Sequence, residues 1–344
     1  MKTFNALIPN TFGIETCCDC LIEFQTVEEL ISCYPSIAQA RRDGNLLIVG
    51  RGSNLLPVDD FHGMVLRSRI MGIHSEEDGN NAMVTCGSGE TMDEVIEWCI
   101  GKGYYGMENL SLIPGDVGAS AVQNIGAYGV EAKDFISSLH AFDLETQDIV
   151  EISGDQCHYA YRSSIFKNEW KNRFVILDVT YSLSKISNPV LNYGNISSAM
   201  QTKDISAQQL RQVIIDIRRA KLPDWEVEGN AGSFFMNPVV GKEKYEALIK
   251  KFPDMPHYNV DSEHEKIPAG WLIDQCGWKG RSIGRAGVHN NQALVLVNRG
   301  GATGQEIVFL AERIQRDVKD RFGIDIHPEV NILCSSTHSK SQEL

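Results

Sequence analysis

The sequence predicts an α+β fold that contains more than one β-sheet. The chain has 344 residues, of which 42% are hydrophobic and 22% charged, so it is long enough for two or three globular domains. Helical segments with capping signals lie between short runs rich in β-branched residues. Because these helices and strands do not alternate regularly, and because the pattern is not all-β, segregated helices and sheets are the expected arrangement.

Four helix starts are indicated by the capping box, in which a Ser or Thr and a Glu or Gln three residues later bind each other's backbone N–H groups. The boxes are Thr26 with Glu29, Thr91 with Glu94, Ser206 with Gln209, and Thr303 with Glu306. The last helix has the clearest pattern, because apolar residues recur at three- and four-residue steps up to Phe322 and Gly323 follows as a left-handed stop. Pro223 is expected to end the helix predicted over 206–221.

Strands are predicted where short apolar runs contain many β-branched side chains. These runs cover residues 46–49, 64–66, 83–85, 174–183, 293–297 and 330–333. No internal repeat, low-complexity tract or long linker separates them. Domain boundaries are therefore expected at subtle breaks, near 69–72, at 222–224 and at Gly323.

The charge balance argues against one class of function. With 32 Lys and Arg against 45 Asp and Glu, the formal net charge is −13, whereas nucleic-acid binders neutralise phosphates with a basic face. The apolar run at the N-terminus is too short for a signal peptide, and no uncharged stretch approaches the roughly 18 residues of a membrane span. A cytoplasmic protein that binds neither nucleic acid nor membrane is expected.

The nine cysteines are an odd number and show no paired spacing, which favours reduced thiols over a disulfide framework. Cys17 and Cys20 form a C-x-x-C pair. No second pair or histidine partner follows at the spacing of a zinc site, so cysteines of a core or a strand are favoured over metal ligands. The sequence predicts no bound metal.

The predicted strand 46–49 runs directly into a turn of small residues, Gly50-Arg51-Gly52-Ser53-Asn54. Backbone N–H groups and a hydroxyl in such a turn can hold a diphosphate. The dinucleotide fingerprint G-x-G-x-x-G is absent, because Leu55 stands three residues after Gly52, and no Walker A sequence occurs. Any nucleotide would therefore be held by another fold, and an ordinary turn after a strand explains this segment equally well.

A second glycine-rich stretch covers residues 113–129 and has few bulky side chains. Such a bare backbone loses much conformational entropy on folding. That cost is understandable where a large flat group must approach the backbone closely. A surface loop without such a role would more often carry Lys, Glu and Asp.

Three further segments carry side chains suited to chemistry. Arg162 lies among aromatic and hydroxyl residues and could hold a carboxylate bidentately, although a surface salt bridge explains it as well. Ser233 lies between a glycine and two phenylalanines, and because no G-x-S-x-G surrounds it, it fits a proton donor better than an acyl-enzyme nucleophile. Glu329 stands at the start of the last predicted strand.

Basic residues are concentrated in two places. Residues 211–221 contain four basic residues and one acid, and residues 275–292 contain three basic residues and no acid. Within a chain of net charge −13 these patches suggest an anionic ligand. Exposed helix charges are the alternative explanation.

Taken together, six segments resemble the UDP-N-acetylenolpyruvoylglucosamine reductases, flavoenzymes that make UDP-N-acetylmuramate for peptidoglycan. They cover 50–54, 113–129, 161–167, 229–235, 269–273 and 327–330, and they follow in order along nearly the whole chain. Asn192-Tyr193-Gly194 and the chain length resemble the longer class of this family, which has a substrate-gripping tyrosine on an inserted loop.

The resemblance implies a two-lobed FAD-binding region of the vanillyl-alcohol-oxidase (PCMH) type and a C-terminal α+β substrate-binding domain. The FAD-binding region would cover 13–184, with one lobe formed by 1–69 and the returning 323–344 and a second lobe by 70–221. The substrate-binding domain would cover 222–322. It also implies non-covalent FAD, NADPH as co-substrate, UDP-N-acetylglucosamine enolpyruvate as the other substrate, and a monomer.

Site residues are implied by the same resemblance. The residues that match the cofactor site are Gly50, Arg51, Gly52, Ser53, Asn54, Pro114, Gly115, Gly118, Ala119, Gln123, Asn124, Gly126, Ala127, Tyr128 and Gly129. Those that match the substrate site are Tyr161, Tyr193, Lys221, Asn237, Tyr258, Lys279 and Gln292, of which Gln292 would reach the uridine. Met236 departs from the family pattern, which usually has lysine there, and this puts in doubt one positive charge near the nicotinamide or the sugar phosphates.

The implied reaction transfers hydride from reduced FAD to C3 of the enolpyruvyl group. Arg162 and Glu329 match the residues that stabilise the enolate-like intermediate, and Ser233 matches the residue that protonates C2. Two other functions stay open. One is an FAD-dependent sugar or alcohol oxidase on the same scaffold, and the other is a non-catalytic protein that binds nucleotide sugars.

Overall fold

The structure is a computed structural model that describes residues 1–191, 196 and 205–334. Two compact units make up the chain. The first contains residues 1–9, 18–51 and 62–218, and the second contains residues 10–17, 52–61 and those from 219 onward. Each unit has its own helices and sheets, so the predicted α+β class with more than one sheet is confirmed. The domain boundaries expected from the resemblance stay a prediction.

The α-helices of the described part are α1 (Val27–Arg42), α2 (Met92–Lys102), α3 (Val117–Gln123), α4 (Ala207–Lys221), α5 (Lys242–Ile249), α6 (Ala269–Gln275) and α7 (Gly304–Phe322). The strands are β1 (Lys2–Leu7), β2 (Cys17–Phe24), β3 (Leu46–Val49), β4 (Leu55–Pro57), β5 (Phe61–Ser68), β6 (Ile73–Asp78), β7 (Asn81–Gly87), β8 (Gly126–Ala127), β9 (Val130–Glu131), β10 (Ile136–Asp143), β11 (Ile149–Ser153), β12 (Phe174–Ser184), β13 (Asn230–Ser233), β14 (Val239–Gly241), β15 (Tyr258–Asn259), β16 (His264–Lys266), β17 (Ser282–Ile283), β18 (Ala286–Val288), β19 (Val295–Asn298) and β20 (Asn331–Leu333).

The first unit contains two sheets of four and five strands. The smaller has the order β1-β2-β5-β3, with β3 parallel to β5, and its core includes the α1 residues Leu30 and Ile37. The larger has the order β11-β10-β12-β7-β6 and is antiparallel throughout. Helices α2 and α3 contribute to its core, where Val95, Ile96 and Val117 are fully buried. This buried face fixes the position of the 113–129 segment.

The second unit is organised around α7 and the sheet β13-β19-β18-β17. The buried α7 residues Ile307, Leu310 and Ile314 share one core with Phe12 and Phe234. Smaller sheets complete the unit, with β20 parallel to β4 and with β14, β16 and β15 antiparallel. The N-terminal segment 10–17 thereby supplies core residues to the C-terminal part of the chain.

The predicted helix starts are confirmed, but one predicted cap is wrong. Reciprocal capping boxes are present at Thr303 and Ser206, and the Thr26 hydroxyl accepts from the Glu29 N–H at 3.3 Å. Thr91 caps α2 by position only, because its hydroxyl instead accepts a hydrogen bond from Arg51. Gly323 ends α7 with φ of 62°, as expected for a left-handed stop.

All six predicted strands are present, although several start at other residues than predicted. The run predicted over 293–297 forms a strand only from Val295, because Leu294 instead uses its carbonyl to accept the N–H of Phe234. No helix in the described ranges is both long and apolar enough to cross a bilayer.

Candidate active site

The turn at 50–54 follows β3 as predicted, and its first residue, Gly50, lies beside the start of α3. A Cβ atom added at Gly50 would be 3.0 Å from Asp116 Oδ2 and 3.3 Å from the Ala119 Cβ. Gly52 has φ of 71°, a left-handed conformation that favours glycine, and its carbonyl accepts the N–H groups of Thr11 and Leu55. Both glycines are therefore required by the protein's own packing and backbone geometry.

Asp116 is a buried carboxylate surrounded by arginines. Arg51 Nε donates to Asp116 Oδ1 at 2.6 Å, and Arg67 Nη2 lies 3.9 Å from Oδ2. Burial raises the pKa of Asp116, and the charge and hydrogen bond of Arg51 oppose that rise. Burial also lowers the pKa of Arg67, whose Nε has no hydrogen-bond partner within the described ranges. Asp116 Oδ2 likewise lacks one.

The glycine-rich stretch 113–129 is partly helical rather than a bare loop. Helix α3 spans its centre, and a Cβ added at Gly118 would lie 2.9 Å from the Ser88 Cβ. The buried Asn124 ends the helix in a left-handed conformation, and its amide nitrogen donates to Glu131 and to the Ala160 carbonyl, both at 2.9 Å. The small side chains thus serve tight internal packing, and Asn124 holds the segment together.

Arg162 is held in a strained turn against this stretch. Its φ is 55°, and its Nη2 donates to the Gly126 carbonyl at 2.9 Å. Lys167 Nζ fixes the turn by donating to the Arg162 carbonyl and to Gln123 Oε1. The half-exposed ring of Tyr161 lies 5.8 Å from the guanidinium carbon. A non-glycine residue in this conformation is uncommon and is consistent with a side chain placed for function.

In the second unit, Ser233 ends a strand whose neighbours are tightly placed. A side chain at Gly229 would collide with the Phe12 carbonyl, and Gly232 has φ of 70°. The Asn230 side chain receives the Gly232 N–H at 2.9 Å and donates to the Glu228 carbonyl at 2.8 Å. These contacts fix the backbone immediately before the half-buried Ser233.

Glu329 lies on a segment that is hydrogen-bonded to the residues after Ser233. The Glu329 N–H donates to the Phe234 carbonyl at 2.8 Å, and the Met236 N–H donates to the His327 carbonyl at 2.9 Å. Asn54 Nδ2 donates to the Glu329 carbonyl at 3.2 Å. The second unit therefore brings together Ser233, Glu329 and the last residue of the 50–54 turn, three residues that are far apart in sequence.

The other predicted substrate residues have varied surroundings. Asn237 Oδ1 accepts the Ala269 N–H at the start of α6, and Gln292 Oε1 accepts the Leu294 N–H at 3.3 Å. Lys279 Nζ lies 2.5 Å from Asp274, while Tyr258 and Lys221 are exposed. Tyr193 lies outside the described residues.

The two basic patches are smaller than the sequence suggests. Arg211 forms a bidentate ion pair with Asp93, Lys279 pairs with Asp274, and Arg285 lies 3.2 Å from Glu306. These three acids lie outside the basic segments 211–221 and 275–292. Arg218 and the exposed Arg219 and Lys221 are the basic residues of the first patch that form no ion pair among the residues described.

Two residues of the site were missed by the sequence analysis. Asp116 anchors Arg51, and Lys167 fixes the turn of Arg162. Asp116 lies in the segment 113–129 and Lys167 in 161–167, which the sequence predicts to be functional. The pattern of these segments does not indicate the two roles. The nine cysteines are free thiols, and no group of three or more potential ligands for a metal ion occurs in the described part of the chain.

Known family models match a large part of each unit. A family model for an FAD-binding domain matches residues 18–153, so the chain is a flavoprotein. A second model, described as the C-terminal domain of UDP-N-acetylenolpyruvoylglucosamine reductase, matches residues 224–333. The chain belongs to the UDP-N-acetylenolpyruvoylglucosamine reductase family, because relatives of that name are 46% and 39% identical over nearly its whole length. The predicted resemblance is thereby confirmed.

The relatives cover nearly the full chain. The UDP-N-acetylenolpyruvoylglucosamine reductase of Bacteroides fragilis (strain YCH46) is 46% identical over 334 residues, which are 96% of this chain and 99% of the relative. That of Haemophilus ducreyi is 39% identical over 341 residues, 99% of this chain and 98% of the relative. The crystal structure of the Thermus caldophilus enzyme is 19% identical with a TM-score of 0.65, covers 97% of this chain and 98% of its own, and supports the fold.

Proposed function

We propose that this protein reduces UDP-N-acetylglucosamine enolpyruvate to UDP-N-acetylmuramate in peptidoglycan precursor synthesis, with FAD as cofactor and NADPH as the source of electrons. The observation that carries this proposal is the pairing of the segment after Ser233 with the segment of Glu329, two residues for which the family resemblance implies catalytic roles. The near full-length identity to reductases of this name supports the same reaction.

Polar residues around the start of the 50–54 turn fit FAD, whose diphosphate accepts hydrogen bonds and whose hydroxyl groups donate them. Arg51 and Arg67 supply positive charge next to the 50–54 turn, and Arg67 Nε and Asp116 Oδ2 are buried polar atoms without a hydrogen-bond partner in the part of the chain described. A ligand with both donors and acceptors would satisfy such atoms. We propose that 50–54 and 113–129 hold FAD non-covalently. When bound, FAD supplies the hydride that the substrate receives.

The chain's own side chains would manage the charge and the proton. Arg162 can donate parallel hydrogen bonds to a carboxylate as negative charge builds up on it, and Glu329 is proposed to act on the same developing charge. Ser233 is proposed to protonate C2. A serine hydroxyl is a weak acid, but a carbanionic carbon is a very strong base, so the transfer is downhill once the hydroxyl is positioned.

The remaining predicted residues are proposed to bind the nucleotide part of the substrate. Tyr161, Tyr193, Lys221, Asn237, Tyr258 and Lys279 would hold the sugar and diphosphate, and Gln292 the uridine. Lys279 would have to exchange its contact with Asp274 for one with a phosphate. Because both side chains of that pair are 41% exposed, the exchange should cost little. We also propose that the protein is a monomer and acts in the cytoplasm.

Replacing Ser233 by Ala tests the proposed reaction. NADPH should still reduce the flavin at close to the wild-type rate, whereas re-oxidation by the enolpyruvyl sugar should slow by about 10²–10⁴-fold, the usual contribution of a general acid. Both half-reactions are followed at the flavin absorbance under anaerobic conditions. Ser262→Ala is the matched control, because Ser262 is exposed and is not proposed to bind either substrate.

Three outcomes would contradict this assignment. If both half-reactions slow equally in Ser233→Ala, Ser233 has a structural role and not that of a proton donor. If the wild-type flavin is re-oxidised by oxygen but not by the enolpyruvyl sugar, the protein is an oxidase. A protein that binds the nucleotide sugar without any flavin would instead support the non-catalytic alternative.

A further inference from the structure

Arg218 has a position unlike that of the other basic residues of α4. It lies four residues after the fully buried Ile214 and eight after the fully buried Leu210, so it continues the inward face of the helix. Arg219, the next residue, is exposed. The basic patch seen in the sequence is therefore divided, and Arg218 is directed into the first unit.

Tyr128 interacts with Arg218 and lies two residues after the carbonyl that binds Arg162. Tyr128 packs against the hydrophobic cluster that contains the α4 residues Leu210 and Ile214, and its hydroxyl is close enough to Arg218 for the two groups to interact electrostatically. Burial is the main cause that raises the pKa of Tyr128, and Arg218 opposes it. The Arg162 guanidinium donates to the carbonyl of Gly126, two residues earlier. One short backbone segment thus contacts both arginines.

Arg218 is a charged group whose Nε has unfilled hydrogen-bonding capacity among the described residues. Its Nε is buried and has no hydrogen-bond partner within residues 1–191, 196 and 205–334, and no carboxylate pairs with it there. The charge of Asp93 acts on it, but that carboxylate is already bound to Arg211 and to the Leu112 N–H.

The two arginines are close enough for their charges to interact. Burial lowers the pKa of Arg218, and the positive charge of Arg162 lowers it further. A guanidinium nevertheless stays protonated in proteins, so both side chains are cations. Two half-buried cations that repel each other are stabilised by an anion bound between them, and a carboxylate matches the planar donor geometry of arginine.

We propose that Arg218 is a second anion-binding guanidinium that, together with Arg162, holds the carboxylate of the enolpyruvyl group. This inference rests on the proposed function, because it assigns a residue to the substrate of that reaction. Tyr128 acts as the positioning residue that holds Arg218 in place. No bond is made or broken by Arg218, whose role is to bind and orient the carboxylate.

The test compares two nucleotide ligands that differ in the carboxylate. UDP-N-acetylglucosamine enolpyruvate and UDP-N-acetylglucosamine are titrated into the oxidised holoenzyme, and binding is followed by the change in the flavin spectrum or by calorimetry. In Arg218→Gln the enolpyruvyl ligand should bind roughly 10–100-fold more weakly, as expected for lost hydrogen bonds between charged groups, while the affinity for UDP-N-acetylglucosamine should not change. Arg218→Lys should lie between these values, because it keeps the charge without the planar fork.

Arg219→Gln is the matched control and should bind both ligands as the wild type does. Flavin content and melting temperature are measured for each variant, and Tyr128→Phe provides a second route if Arg218→Gln fails to fold. That variant should weaken binding of the enolpyruvyl ligand selectively, by roughly 3–10-fold, because the hydroxyl proposed to position Arg218 is removed.

Equal weakening of both ligands in a folded Arg218 variant would contradict the inference, since it would indicate a phosphate contact or a general structural role. Unchanged binding of both would contradict it as well. Failure of the proposed function has a different result, because the wild-type protein would then not turn over the enolpyruvyl sugar, whatever its Arg218 variants bind.

Discussion

The ion pair between Asp93 and Arg211 is expected to be the main polar contact that fixes α4 to the first unit. Arg211 Nη1 lies 2.5 Å from Asp93 Oδ1 and Nη2 lies 3.0 Å from Oδ2, so the pair is bidentate. Their side chains are only 12% and 23% exposed. Asp93 Oδ1 also accepts the Leu112 N–H. Helix α4 carries Arg218, so loosening this contact would also disturb the proposed anion site.

The size of the effect follows from this geometry. Hydrogen bonds to charged groups contribute about 1.5–3 kcal/mol, and removing one partner of a fully buried pair costs about 3–5 kcal/mol. Because this pair is partly exposed, Asp93→Ala should lower the free energy of unfolding by about 2–3 kcal/mol. Arg211→Met, which keeps much of the apolar stem, should cost about 1–2 kcal/mol. The coupling energy of the double mutant should be about 1–2 kcal/mol.

The assay is chemical denaturation of the wild type, both single variants and the double variant, followed by circular dichroism. The matched control is the Lys319–Asp325 pair, whose atoms are also 2.5 Å apart but whose side chains are 51% and 60% exposed. That surface pair should show a coupling energy below about 1 kcal/mol. If the Asp93–Arg211 coupling is no larger than that of the control, the pair does not anchor α4 and the reasoning from burial is wrong.

Three further predictions follow from named contacts. Gly229→Ala should destabilise the second unit by about 2–3 kcal/mol, because the new methyl collides with the Phe12 carbonyl. Gly241→Ala is the control and should not destabilise it, because its methyl meets open space; equal denaturation midpoints of the two variants would contradict this. Burial acts to raise the pKa of Asp93, but Arg211 and the Leu112 N–H lower it overall, so the stabilisation it provides should be constant well above about pH 4 and decline as the pH falls further; a stability difference between wild type and Asp93→Asn that does not shrink at all as the pH falls below about 4 would refute it. Arg162→Lys should slow re-oxidation of the flavin by the enolpyruvyl sugar more than 10-fold, because lysine lacks the bidentate fork, and an unchanged rate would exclude that role for Arg162.

Much of the fold could be predicted because the signals involved are local. The capping boxes at Ser206 and Thr303 each link residues three apart, and the left-handed stop at Gly323 depends on a single residue. The same reasoning failed at Thr91, whose hydroxyl accepts from Arg51, forty residues earlier in the chain. A local rule has no access to a competing partner that only the tertiary fold supplies.

The site could be predicted only as a set of segments. The sequence suggested a close-approaching ligand as the reason for the small residues around Gly118, whereas the structure adds a tight contact with Ser88. The net charge of the basic patch that includes Arg211 is lower in the structure than in the sequence, because Asp93, 118 residues away in sequence, pairs with Arg211. Packing and charge compensation depend on such long-range contacts, and for that reason the special position of Arg218 was not visible in the sequence.

The most direct test of the central claim is an anaerobic stopped-flow experiment on the wild-type holoenzyme. NADPH should bleach the flavin absorbance, and the enolpyruvyl sugar should then restore it with formation of UDP-N-acetylmuramate in an amount equal to the flavin re-oxidised. Restoration by oxygen alone, or a purified protein without flavin, would contradict the account.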